Sequence, residues 1–169
     1  MLEVEIDRSP KWPTDINWEA ISKAASAAAI SITPFAKMAE QPFALEISVK
    51  FAENGEVKQL NKDYRHKDKP TNILSFPQVQ RDLLSGLANS DDGEILLGDM
   101  ILARDICIDE AKDKDVTLSD HVSHLLVHGT LHLLGYDHDD EADALIMEAL
   151  EVRALKNLGI ADPYADQSQ

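Results

Sequence analysis

Four segments of the chain have the apolar pattern of β-strands. The first two alternate between apolar and polar residues, which is typical of a strand with one buried face. The third ends at Pro77, which cannot donate a hydrogen bond to a sheet, and the fourth is interrupted by Gly98 and Asp99. In chain order they are Leu2–Ile6, Leu45–Phe51, Thr71–Phe76 and Ile95–Ala103.

Apolar residues with helical spacing predict five helices around these strands. The first follows a cap at Asp15 or Asn17 and ends before Pro34. Turn-forming pairs over Gln78–Gly93 predict a loop with a brief helix. The predicted helices are Trp18–Ile32, Val57–Tyr64 after a break at Asn54-Gly55, Ala103–Lys112, Thr117–Leu134 and Asp140–Leu158.

This order of elements predicts the mixed α/β (α+β) class, with one sheet of about four strands and helices packed on it. A length of 169 residues favours one domain. We expect the domain to span residues 1–169, with residues 160–169 as a flexible tail. The last helix is predicted to be purely structural and to bury Ala142, Leu145, Ile146, Ala149 and Val152.

Composition excludes some classes of function. The net charge of −15 excludes a generally basic nucleic-acid coat protein, so contact with nucleic acid needs a local patch. Cys107 is the only cysteine, which excludes an internal disulfide and a cysteine-based metal site. The acidic start is unlike a signal peptide, and the longest apolar run is too short to span a bilayer. These features predict a cytoplasmic protein.

The helix over Thr117–Leu134 is apolar on nearly all sides, which is typical of a buried helix. Its four histidines fall on one stripe about 80° wide. An ordinary hydrogen bond explains any one of them, but four buried imidazoles on one stripe favour a shared explanation, because each costs about 1–3 kcal/mol when unpartnered. They are His121, His124, His128 and His132.

The spacing H-x-x-x-H-x-x-G-x-x-H predicts a metal site. His128 and His132 are four residues apart on one helical face, so both rings can reach one ion. Gly135 predicts a left-handed helix end that folds the chain back and brings His138 to the third corner. Three imidazoles leave a fourth position open, which is typical of a catalytic zinc. His124 also pairs with His128 at this spacing.

Neither His121 nor His124 has a turn on its own side of the helix that could supply a third metal ligand. We therefore expect them to support the site, face the substrate or be structural. Among Asp137, Asp139 and Asp140, one could orient a ligand imidazole, although the last two also suit the start of the next helix.

Position 129 separates this motif from that of metalloproteases. The protease pattern H-E-x-x-H-x-x-G-x-x-H carries a glutamate there as general base. Gly129 has no side chain, which disfavours peptide hydrolysis by that route.

The motif and three other segments resemble the bacterial YbeY family. The segments are His128–His138, Leu60–Arg65, Asp68–Pro77 and Leu97–Asp99, and the resemblance covers about Leu45 to Gly159. It implies a zincin-like fold around the histidine helix, in a single zinc-dependent hydrolase domain. It also implies one Zn²⁺ per chain, held by His128, His132 and His138, with Arg65 as the motif arginine acting in catalysis.

The resemblance also implies a function: a single-strand-specific endoribonuclease in ribosomal RNA maturation and ribosome quality control. The implied partners are single-stranded or ribosomal RNA, the small ribosomal subunit and its assembly proteins. We expect neither DNA nor a membrane as a partner.

A basic segment in the acidic chain supports an RNA substrate independently. Lys58–Lys69 holds five Lys and Arg residues against two Asp, a local charge of +3. Arg65 is the best candidate to bind a phosphate, because a guanidinium makes two parallel hydrogen bonds. We expect Lys67, Lys69 and Tyr136 to bind substrate; Tyr64 and Tyr136 could each stack on a base or belong to the core.

Three alternatives remain open at this point. A hydrolase of a small molecule explains the histidines but not the basic segment. A non-enzymatic ribosome-assembly factor with structural zinc predicts a fourth protein ligand. A protease requires a distant carboxylate in place of the missing glutamate. The sequence leaves the nucleophile and the general base open.

Overall fold

The computed structural model describes residues 1–40, 44–79 and 94–165, which form strands and helices in mixed order. The strands are β1 (Leu2–Arg8), β2 (Ala44–Ala52), β3 (Ile73–Pro77) and β4 (Glu94–Ala103). The helices are α1 (Trp18–Ser31), α2 (Asn54–Arg65), α3 (Arg104–Asp113), α4 (Leu118–Leu133) and α5 (Glu141–Asn157), with a 3-10 helix at Ala36–Glu40. The predicted mixed α/β class is confirmed.

The four strands form one sheet, as predicted, and their order in it is β1-β2-β4-β3. Strands β1, β2 and β4 are parallel to one another, and β3 is antiparallel to β4. The alternation in β2 places every second residue in the core, because successive side chains point to opposite faces of a sheet. These buried residues are Leu45, Ile47, Val49 and Phe51.

The predicted interruption of β4 at Gly98 and Asp99 is wrong, because the strand continues through both residues. The register with β2 shifts at this point, so that Leu97 is an extra residue in β4. A Cβ atom on Gly98 would lie 2.5 Å from Leu133 Cδ2 and 2.6 Å from the carbonyl oxygen of Phe76. Glycine therefore marks a close approach of α4 and β3 to the strand.

Helix α4 lies at the centre of the fold, in contact with α1, α3, α5, β3 and β4. Its position follows from its sequence, since a helix that is apolar all round is stable only when neighbours cover it. Helix α2 packs on the opposite face of the sheet, where Val57 joins a small cluster with Leu74 and Ile101.

Several element boundaries were predicted correctly and others were not. Asn17 caps α1 by accepting from the backbone N–H of Ala20 at 3.0 Å. Helix α2 begins at Asn54, three residues before the predicted start. Residues 80–93 of the predicted loop lie outside the described residues.

No helix in the described ranges is long and apolar enough to span a membrane.

The predicted buried face of α5 is wrong. Leu145 and Ile146 are 61% and 54% exposed, although both were expected in the core. The helix instead buries Met147, Glu151, Ala154 and Leu155. A charged residue thus lies on the face that packs inward.

Candidate metal centre

The C-terminus of α4 turns back sharply, as the sequence predicts. The N–H of Tyr136 donates to the carbonyl of Leu131, and the N–H of Gly135 to that of His132, both at 3.0 Å. Gly135 has a φ of 93°, in the left-handed region that glycine enters at little cost. These bonds form a Schellman motif, which satisfies the last helical carbonyls. The turn places His138 beside the end of the helix.

Three imidazoles meet at this turn. The nearest nitrogens of His128, His132 and His138 all lie within 4.8 Å of one another, and together they could hold a metal ion. The Nε2 atoms of His128 and His132 are 3.0 Å apart. Two nitrogens bound to a tetrahedral zinc at about 2.0–2.1 Å are about 3.3 Å apart, so the donor set and its spacing fit a metal ion.

The outer nitrogens of two of these rings have acceptors. His128 Nδ1 lies 2.7 Å from Glu151 Oε1, and His132 Nδ1 lies 2.9 Å from the carbonyl oxygen of Tyr136. Since a carboxylate and a carbonyl only accept, both Nδ1 atoms carry the proton. With its proton on Nδ1, each ring presents Nε2 to the site as the atom that can offer a lone pair. Two lone pairs at 3.0 Å do not form a hydrogen bond, but both can bind one cation.

The protonation states agree with this arrangement. Burial, followed by repulsion from His128, lowers the pKa of His132 to about 4, so its imidazole is neutral near pH 7. Burial alone raises the pKa of Glu151, but the hydrogen bonds from His124 and His128 outweigh it and lower the pKa to about 2. The site therefore contains a neutral imidazole, that of His132, and an ionised carboxylate, that of Glu151, which can orient a ligand imidazole.

Glu151 is the residue that the sequence reasoning missed. Helix α5 was expected to be structural, and an aspartate of the 137–140 turn was the candidate to orient an imidazole. Asp140 instead caps α5, accepting from the N–H of Asp143 at 2.8 Å. A signal was present: Glu151 follows Met147 by four residues and precedes Leu155 by four, within a helical row of apolar residues.

Arg65 lies at the junction of two neighbouring cavities. The smaller, about 170 Å³, is lined by the three imidazoles together with Arg65, Thr71, Asn72, Ile73 and Ser75. The larger, about 350 Å³, is lined in part by Arg65, Lys67 and Lys69 and shares Thr71 and Asn72 with the first. We call the two together the basic groove. It brings three of the five cations of the Lys58–Lys69 segment into or next to the cavity of the histidines.

The loop that carries the two lysines is held by a buried side chain. The side chain of Asn61 donates from Nδ2 to the backbone carbonyl of Lys69 at 2.8 Å. The backbone carbonyl of Asn61 accepts from the N–H of Lys67 at 3.2 Å. His66 ends α2 in the left-handed region, with a φ of 60°. The path from helix to groove is therefore set by backbone hydrogen bonds.

The two tyrosines occupy different surroundings. The side chain of Tyr136 packs against the main core, and its backbone carbonyl is the group that meets His132. Tyr64 is exposed, lies edge-on to Phe76 at 5.7 Å, and lines a separate cavity on the other face of the sheet.

Comparison with known proteins identifies the family. The family model for endoribonuclease YbeY matches residues 9–159. The chain is 57% identical to a protein named endoribonuclease YbeY from Sphingopyxis alaskensis, over 99% of each chain. It is 54% identical to the protein of the same name from Rhizorhabdus wittichii, over 98% of each chain. The chain belongs to the YbeY family.

A solved structure shares the fold of this YbeY family member. The solution structure of TM1509 from Thermotoga maritima superimposes with a TM-score of 0.56, covering 98% of this chain and 92% of that one. Its sequence identity is 17%, so the likeness concerns the fold alone.

The other two histidines of α4 lie outside the cluster in this YbeY protein. His124 Nε2 lies 3.3 Å from Glu151 Oε1, so this ring shares the carboxylate that holds His128. His121 Nε2 lies 2.8 Å from Glu110 Oε1, and Glu110 lines the basic groove. Both rings therefore contact residues next to the site.

Gly129 occupies a position with no room for a side chain. A Cβ atom there would lie 2.6 Å from Met100 Sδ, 2.9 Å from Ser75 Oγ and 3.0 Å from Ile73 Cδ1. The glutamate of the metalloprotease pattern therefore does not fit this YbeY fold, because α4 packs too closely on β3 and β4.

Gly129→Ala is expected to destabilise the protein by about 1 kcal/mol. Overpacking costs about 1–3 kcal/mol, and the higher helix propensity of alanine offsets about 1 kcal/mol of it. Chemical denaturation measures the free energy of unfolding. Gly55→Ala is the matched control, since nothing lies within 4 Å of a Cβ at that helical position; it should be neutral or stabilising. Equal values for the two variants would contradict the close packing.

Proposed function

We propose that this chain is a zinc-dependent, single-strand-specific endoribonuclease that acts in ribosomal RNA maturation and ribosome quality control. It would work in the cytoplasm as a single domain, on single-stranded or ribosomal RNA, together with the small ribosomal subunit and its assembly proteins. The observation that carries the metal site is the pair of Nε2 lone pairs of His128 and His132 at 3.0 Å. Family membership supports the RNA substrate.

Zinc is the ion that the donor set favours. The site offers imidazole nitrogens, which suit zinc better than magnesium or calcium, and these prefer oxygen. A structural zinc needs a fourth protein ligand, but within residues 1–40, 44–79 and 94–165 only the three histidines form such a cluster. This favours a catalytic ion with an open position over the non-enzymatic alternative.

The basic groove supplies the binding groups for a phosphodiester. Zinc bound by His128, His132 and His138 would supply a Lewis acid for a phosphoryl oxygen. Arg65 would donate two parallel hydrogen bonds to the non-bridging oxygens and stabilise the negative charge that develops in the transition state. Lys67 and Lys69 would bind the neighbouring phosphates.

The groove also favours a single strand of RNA. An unpaired strand can splay its bases apart and enter narrow cavities, whereas a duplex presents a wide, regular surface. The hydroxyl groups of Thr71 and Ser75 line the cavity of the histidines and can hydrogen-bond a ribose 2′-hydroxyl, the group that distinguishes RNA from DNA.

The protease alternative has little support. Glu151 is the carboxylate that contacts a histidine of the cluster, but it meets Nδ1 of His128, on the opposite side of the ring from Nε2. It therefore faces away from the position of the ion and of any substrate. The packing around Gly129 leaves no room for a glutamate there.

Chelation is expected to abolish cleavage of single-stranded RNA. The purified protein should contain about one zinc per chain by elemental analysis. Removing it should lower the cleavage rate by at least about 1,000-fold, since a Lewis acid is worth several kcal/mol at a transition state, and adding zinc should restore the rate. Double-stranded RNA and single-stranded DNA are the control substrates. Metal-free protein that cleaves at the parent rate, or cleavage of both controls as fast as single-stranded RNA, would contradict the proposal.

A further inference from the structure

The C-terminal segment reaches the carboxylate that holds the metal site. The hydroxyl of Tyr164 donates to Glu151 Oε2 at 2.8 Å. The other oxygen, Oε1, lies 2.7 Å from His128 Nδ1 and 3.3 Å from His124 Nε2. A hydrogen-bonded path therefore runs from Tyr164 through Glu151 to His128.

We propose that Tyr164 is a positioning residue that fixes the Glu151 carboxylate against His128 and thereby tightens metal binding. The inference rests on the proposed function, because it assumes that His128 binds the ion. It extends that function by assigning a role to a segment that the sequence predicts as a tail.

The first support is the burial of Glu151 away from water. Its side chain is fully buried, with 0% of the residue exposed. In the described part of the chain it makes ion pairs only with histidines. A buried carboxylate is expensive unless its oxygens are hydrogen-bonded, and Oε2 has Tyr164 as its donor. Without that donor, Oε2 would be buried and unpaired. The carboxylate would then reorient to find another partner and lose its alignment with His128.

The second support is the way the segment is held. The N–H of Ile160 donates to the carbonyl of Leu155 at 2.9 Å, and the N–H of Tyr164 donates to Asp162 Oδ1 at 2.8 Å. The ring of Tyr164 packs edge-on against that of His124, with centroids 5.5 Å apart. The hydroxyl thus reaches Glu151 from an ordered turn.

The third support is the protonation of the hydroxyl. Burial, and then the charge of Glu151, raise the pKa of Tyr164. The phenol therefore stays protonated and acts as a donor. An acceptor at this position would instead repel the carboxylate.

The test is the zinc affinity of the full-length Tyr164→Phe variant, measured by competition with a chromophoric chelator. We expect the dissociation constant to rise about tenfold, at the lower end of the 10–100-fold effect of outer partners of metal ligands. Tyr64→Phe is the matched control, since it removes a hydroxyl from an exposed ring away from the site; its dissociation constant should stay within about twofold of the parent value.

A double-mutant cycle tests the route. In a Glu151→Gln background, Tyr164→Phe should have little further effect on zinc affinity, because contacting residues in one network are not additive. Thermal unfolding of the metal-free proteins identifies a variant that is merely unfolded. Unchanged zinc affinity in Tyr164→Phe, or an equal effect in both backgrounds, would overturn the inference.

The outcomes separate this inference from the proposed function. If the parent binds zinc and cleaves RNA while Tyr164→Phe binds zinc equally well, only the inference fails. If the zinc affinities follow the expected order but no protein cleaves RNA, the proposed function fails and the inference holds. If the parent protein binds no zinc, both fail.

Discussion

His132→Ala is expected to lose bound zinc and at least about 1,000-fold of RNA-cleaving activity while remaining folded. Two imidazoles hold zinc poorly where three are needed, and the Lewis acid contributes several kcal/mol to catalysis, at about 1.4 kcal/mol per tenfold in rate. The fold should persist because the partner of His132 Nδ1 is only a backbone carbonyl. His128 is a less clean choice, since its loss removes a partner from the buried Glu151.

Elemental analysis and single-stranded RNA cleavage measure the two effects, and circular dichroism measures folding. His66→Asn is the control, because it removes an exposed imidazole from a left-handed residue, where asparagine is tolerated. It should retain zinc and activity. A His132→Ala protein with one zinc per chain would contradict the role of His132.

Arg65→Ala is expected to keep zinc and to lose about 100- to 1,000-fold in kcat/KM on single-stranded RNA. This is the usual cost of removing one donor that stabilises charge in a transition state. Arg65 lines the cavity of the histidines but binds none of them, so the metal content should not change. Arg65→Lys should be intermediate, because it keeps the charge and loses the paired hydrogen bonds.

Arg153→Ala is the matched control for Arg65→Ala, since Arg153 is an exposed arginine on α5. Its activity should stay within about twofold of the parent, because surface changes away from a site have small effects. Zinc content and cleavage rate are measured on the same preparations. Parent-level cleavage by Arg65→Ala would exclude the phosphate role, whereas a loss of zinc in this variant would indicate a structural role instead.

The local features of the site were predictable from the sequence. The pair His128 and His132 follows from the helical period, and the reversal at Gly135 follows from the freedom of glycine to take a positive φ. Both depend on neighbours within about one or two turns of the chain. The alternation in β1 and β2 is equally local, which is why both strands were predicted correctly.

The buried face of α5 was not predictable in the same way. Apolar residues lie on two sides of this helix: Leu145 and Ile146 are exposed, and Met147 and Leu155 are buried. Periodicity alone does not choose between the two sides. The choice is made by packing against α1 and α4, and it carries Glu151 to His128.

The sequence by itself determined that three imidazoles and a chain reversal occur together, because helix period and turn chemistry act over short distances along the chain. Only the tertiary structure decided how other groups are arranged around them. Arg65, Glu151 and Tyr164 are separated from His128 by 63, 23 and 36 residues, and they reach the site through the packing of α2, α5 and the C-terminal segment. Tertiary packing also leaves no room for a side chain at Gly129, because no local rule specifies how closely a helix approaches a sheet.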